Sequence, residues 1–175
     1  MAAFNLISTI TVGSGGAASI TFTSIPQTYT DLKVVLSARS TAGAAVAYTI
    51  SMKMNNLTSS IYSQRALEGN GSAASSFSQS GINTAVRVGI ANGTGATTNA
   101  FSSTEIYIPN YAGSTNKSIS IDTVAETNAT TTYANLIAYL VSSTAAITDL
   151  TFTTEATATS FAQYSSASLY GISNT

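Results

Sequence analysis

Histidine, cysteine and tryptophan are absent from this 175-residue chain, and charged residues make up 7% of it, against roughly a quarter in an average soluble domain. Each absence closes a route. Without cysteine there are no disulfides and no thiolate metal sites. Without histidine, no serine has an imidazole beside it as a base. The six basic residues, Lys33, Arg39, Lys53, Arg65, Arg87 and Lys117, are scattered, whereas phosphate neutralisation needs clustered cations. No nucleic-acid partner is expected. The first ten residues lack a basic region followed by an apolar run, so no targeting segment is expected. The longest apolar stretch, Tyr133 to Val141, is too short to span a bilayer, and no membrane partner is expected either.

What remains is Ser, Thr, Ala, Gly and Asn threaded by short apolar alternations. The net charge is −1, and a net charge near zero favours association. Period-two patterns dominate. Ile20 and Phe22 share a face, as do Leu32, Val34 and Leu36. The same holds for Ile50 with Met52, Val88 with Ile90, Ile106 with Ile108, Ile119 with Ile121, Leu150 with Phe152, and Ala167 with Leu169. The run Tyr133-Ala134-Asn135-Leu136-Ile137-Ala138-Tyr139-Leu140-Val141 is apolar on both faces. It reads as a central strand covered on both sides, or as one that faces another subunit.

Turn signals separate these runs: Gly13-Ser14-Gly15-Gly16, short enough for a hairpin, then Ile25-Pro26-Gln27, Thr41-Ala42-Gly43, Gly69-Asn70-Gly71, Asn92-Gly93-Thr94-Gly95 and Pro109-Asn110-Tyr111-Ala112-Gly113. No window carries an apolar stripe at helical spacing. The expectation is an all-β, single-domain β-sandwich over residues 1–175, jelly-roll-like, with about eight to ten strands. The Ser-rich stretch Gly69 to Ser80 reads as a loop. The expected core is Ile20, Phe22, Leu32, Val34, Leu36, Ile50, Val88, Ile106, Ile108, Ile119, Ile121, Leu136, Leu140, Leu150, Phe152 and Leu169.

Catalytic constellations are hard to assemble. There is no Gly-x-Ser-x-Gly elbow, and Lys117-Ser118, though adjacent, point to opposite faces of a strand. Lys117 therefore reads as a solvated lysine at a strand start. The seven acids form no glycosidase pair. Asp31 and Asp149, each before a strand's first apolar residue, read as turn aspartates that bond backbone amides. Asp122 and Glu126 are oxygen ligands that calcium accepts, but a solvated strand face explains them. The Asn-x-Ser/Thr sequons at Asn56, Asn70, Asn92, Asn116 and Asn128 follow from composition. Neither enzyme activity, nor a metal, nor any other cofactor is expected. Tyrosine is enriched at interfaces, and the aromatic candidates for contact with a neighbour are Phe77, Tyr107, Tyr111, Tyr133, Tyr139 and Tyr170.

Four phrases occur in order along nearly the whole chain: Ala18-Ser19-Ile20-Thr21-Phe22-Thr23-Ser24-Ile25-Pro26-Gln27-Thr28-Tyr29-Thr30-Asp31-Leu32, Gly69-Asn70-Gly71-Ser72, Ile108-Pro109-Asn110-Tyr111, and Ala167-Ser168-Leu169-Tyr170-Gly171-Ile172. In this the chain resembles small virion-associated proteins of tailed phages, especially marine phages and cyanophages. The resemblance implies a β-sandwich structural protein of the particle and supplies no catalytic residues. Two roles stay open. One is a capsid decoration or cement protein on the virion's outer surface, a homotrimer at local threefold positions that clamps neighbouring major capsid subunits. The other is a tail-fibre or tail-tip module that binds a host surface glycan.

Overall fold

The structure, a computed structural model, describes residues 3–41, 45–82, 86–128, 132–155 and 159–173. Twelve strands and no helix occur among them: β1 (Ala3–Thr11), β2 (Ser19–Phe22), β3 (Asp31–Ala38), β4 (Ala47–Met54), β5 (Tyr62–Gly69), β6 (Ala74–Ile82), β7 (Val86–Asn92), β8 (Ser102–Ile108), β9 (Lys117–Ala125), β10 (Tyr133–Val141), β11 (Leu150–Thr154) and β12 (Ser166–Ser173). All strand pairings within the sheets are antiparallel.

Two sheets form. One has eight strands, in the order β1-β12-β3-β8-β9-β10-β5-β6, and the other four, in the order β2-β11-β4-β7. This is a jelly roll with additions. If the eight strands of a jelly roll are numbered along the chain, one sheet reads 1-8-3-6 and the other 2-7-4-5. The small sheet fits the first series. The large sheet fits the second from β3 to β6, with the seventh place widened into the meander β8-β9-β10. The pair β1 and β12 extends its far edge. These additions raise the count above the eight to ten strands expected.

The core lies between the sheets. Fourteen of the sixteen expected core residues are buried: the period-two pattern places them correctly. Leu136 and Leu140 are corrections, at 56% and 38% exposed. In β10 the inward set is Asn135, Ile137, Tyr139 and Val141. Both faces of that strand are apolar, so alternation alone gives no parity, and its outer face is open in the chain.

Two further expectations change. Gly13 to Gly16 does not close a hairpin, because β1 and β2 belong to different sheets. The stretch from Gly69 to Ser80 is mostly strand. Asn70 makes the β5–β6 turn, its Oδ1 accepting from the amides of Ser72 (3.1 Å) and Ala73 (2.8 Å), and β6 runs from Ala74 as the sheet's edge. The turn expected at Thr41-Ala42-Gly43 lies largely outside the described residues.

Where the sheets meet, β7 packs on β8 and β9. The close approach depends on Gly89. A Cβ there would stand 2.7 Å from Thr104 Oγ1. Beneath it, the hydroxyls of Thr104 and Thr123 share a 2.7 Å hydrogen bond, and the Ile90 amide donates to Thr123 Oγ1 (3.4 Å). The Thr104 and Thr123 hydroxyls and the Ile90 amide are thus partnered where the sheets meet.

Candidate functional site

The outer face of the eight-stranded sheet is the most distinctive surface of the chain. Register places its side chains in rows across the strands. One row reads Leu6, Tyr170, Lys33, Tyr107, Ser120, Ala138, Arg65, Ser78. The next reads Ser168, Val35, Glu105, Asp122, Leu136, Leu67, Ser76. Large apolar side chains stand open at both ends: Phe4 and Leu6 at the β1 edge, and Val124, Leu136, Leu140 and Leu67 over β9, β10 and β5. Shallow concavities of about 460 and 370 Å³ flank Leu67 and Leu136. Between the apolar ends, Lys33 pairs with Glu105 at 2.7 Å.

The aromatic candidates divide between this face and the interior. Tyr107 and Tyr170 lie on the outer face, on either side of Lys33. The Tyr107 hydroxyl donates to Asp31 Oδ2 (2.6 Å), while Asp31 Oδ1 accepts the Asn110 amide (2.7 Å). Asp31 is buried and does bond a backbone amide, though one seventy-nine residues away. The carboxylate bond, then burial and the carboxylate's charge, raises the Tyr107 pKa above its ordinary value. Tyr111 and Tyr139 are buried in the core, so neither presents its ring to a neighbour. The Tyr111 hydroxyl donates to the Pro26 carbonyl, and burial raises its pKa.

Phe77 and Tyr133 take part in an internal cluster. The Arg87 guanidinium lies 5.4 Å from the Phe77 ring centre and 5.7 Å from that of Tyr133, within cation–π range. It also pairs with Glu68 at 2.8 Å. Asn135, opposite Glu68 in register, is buried with its amide nitrogen and oxygen both unpartnered.

Lys117 is the clearest correction among the charged residues. It is 1% exposed, and its ammonium donates to the carbonyls of Gly113 (2.7 Å), Thr115 (2.6 Å) and Ala145 (2.9 Å). All three of its donors are used. Burial lowers its pKa. The sequence held the signal: Lys117 shares the inward parity of Ile119 and Ile121.

Across the outer face the groups on offer are apolar side chains, hydroxyls and a few separated charges. Such a face can bury surface against another molecule. No family model matches the chain, and no curated protein matches it. Among solved structures it is similar to the CBM2 module of the evolved Dit of Lactobacillus casei BL23 phage J-1, at 9% identity over 90% of this chain and 69% of that one, with a TM-score of 0.26. A likeness at that score carries no argument about function.

Proposed function

We propose that the chain is a structural protein of a tailed-phage particle, and that it decorates the head, clamping neighbouring major capsid subunits on the capsid surface. The observation that carries the reading is the open outer face of the eight-stranded sheet, with Leu67, Leu136, Val124 and Leu140 exposed together. Contiguous apolar surface of this kind marks a site of protein contact, here the self-associating face of an assembly protein, which leaves the loops at the ends of the sandwich to meet the shell. The phage resemblance gives the setting. The ionisable groups support a role without catalysis: Glu68, Glu105, Asp31 and Lys117 are each engaged in ion pairs or hydrogen bonds. The proposed protein works as a homo-oligomer, the homotrimer being the form suited to a threefold position.

The test is to count copies on purified particles by gel densitometry after low-salt and high-salt washes. A copy number comparable with that of the shell subunits, little changed by salt, is expected, because screening acts mainly on exposed charge pairs. A handful of copies per particle overturns the head assignment in favour of the tail module. Release by modest salt overturns the apolar account of attachment.

A further inference from the structure

We infer that the outer face of β9, β10 and β5 is a self-complementary docking surface for a second copy of this chain, related by a twofold axis that lies over β10 between Leu136 and Ala138. The starting observation is a charge pattern. Arg65 and Asp122 are both exposed on this face. Neither belongs to the ion pairs found among the described residues, Lys33–Glu105 and Arg87–Glu68. They sit diagonally about the apolar centre: Arg65 is one strand from β10 beside Ala138, and Asp122 one strand away on the other side beside Leu136.

The consequence follows from sheet geometry. On a flattened sheet with strands about 4.8 Å apart and same-face residues about 6.8 Å apart, Arg65 and Asp122 are about 12 Å apart. Their midpoint falls on β10 between Leu136 and Ala138. A twofold axis through that point, lying in the plane of contact and perpendicular to the line joining them, sets each Arg65 over the other copy's Asp122. Nothing else is adjustable once that axis is chosen. The same operation drops Leu136 beside the other copy's Leu67, so that four leucines meet at the centre. It carries Leu140 onto Tyr107, which is 39% exposed. Val124 comes over β6 between Ser76 and Ser78, where small side chains leave room.

A single operator thus matches charge to opposite charge and large side chains to apolar or small ones. The occupant is therefore the chain itself, since an isologous contact uses one patch twice. The covered area spans about five strands and four rows, about 500 Å² per copy, at the lower edge of specific interfaces. The pair is expected at micromolar protein. It is measured on the free protein, so its failure is separate from failure of the particle reading. A bare trimer does not contain this contact; three pairs around a threefold position do.

Sedimentation velocity over a concentration series is the test. Wild-type protein should be a monomer–dimer mixture. Arg65→Asp and Asp122→Arg should each weaken the dimer by about tenfold or more, because each sets like charges together. The double variant should restore it, and mixing the two single variants should give a heterodimer. Because the chain has no cysteine, a single Ala138→Cys should be joined into covalent dimers, and nothing larger, by a short bismaleimide. The facing sheets stand about 10 Å apart, too far for a direct disulfide. A wild-type protein that stays monomeric at about a hundred micromolar, well above the micromolar range expected of so small an interface, overturns the inference. So does a trimer, or a double variant no better than the singles.

Discussion

At the scale of single residues, the interior departs from an oil-like core at a few defined points. Lys117 is the costliest to disturb. Lys117→Met removes the charge and leaves the carbonyls of Gly113, Thr115 and Ala145 buried without donors. The expected loss is about 3 kcal/mol or more in a urea titration, and a loss below about 1 kcal/mol would show that water reaches those carbonyls. Asn135 predicts the opposite sign. Its amide atoms have no partners and already bear the cost of desolvation. Asn135→Val, closer in volume than leucine and suited to a strand, should raise stability by about 1 kcal/mol; destabilisation would show that the amide is satisfied in solution. Both residues lie on the inward parity of their strands, but only Lys117 was legible in the alternation, because β10 is apolar on both faces. What hid Lys117 was the expectation that a polar side chain faces water. Register brings Lys117 beside loop carbonyls and Asn135 beside Glu68, and local sequence does not encode such neighbours.

At the scale of the strand, β10 separates pattern from environment. Ile137 is 1% exposed and Leu136, its neighbour, 56%. Ile137→Ala should cost about 2–5 kcal/mol. Leu136→Ser, measured on dilute monomer, should change stability by no more than about 0.5 kcal/mol. Equal costs would mean that both faces are covered in the folded chain. β5 and β6 were illegible for a different reason. The inward positions of β5 are Tyr62, Gln64, Ala66 and Glu68, half of them polar, and Gln64 Nε2 donates across the pair to Gln79 Oε1 at 2.6 Å. β6 is an edge strand of mostly Ser, Ala and Gly around Phe77, with Gln79 and Ile82 toward its end. The Asn70-Gly71 turn between them was visible, but the strands it joins carry too little apolar alternation to be recognised.

At the scale of the whole molecule, strand order was beyond the sequence because the closing contacts join distant segments. Ala3 pairs with Ser173, for example, and no local pattern encodes that. The assembled fold has a pH response that no single strand has. Tyr62 and Tyr111 are raised above the ordinary tyrosine value of 10.0 chiefly by burial, and Tyr107 chiefly by its bond to the Asp31 carboxylate. Above about pH 10 the unfolded chain releases protons that the folded chain keeps. The unfolded state then binds fewer protons, and stability falls as pH rises. Lys117 acts in the other direction. Burial lowers its folded value below 10.5, so the unfolded state binds more protons between the two values, and stability rises across that window. One lysine opposes three tyrosines, and its contribution ends near pH 10.5 while theirs continue upward. The urea midpoint should therefore change little up to about pH 10 and drop steeply beyond it. Of the nine tyrosines, these three should ionise at higher pH than tyrosines whose hydroxyls are open to solvent, the buried Tyr62 and Tyr111 chiefly as the protein unfolds, which ultraviolet difference spectra of tyrosinate would follow. A midpoint unchanged through about pH 11, or complete tyrosine ionisation while the fold persists, would show that their hydroxyls are open to solvent rather than held by Leu57, Asp31 and Pro26.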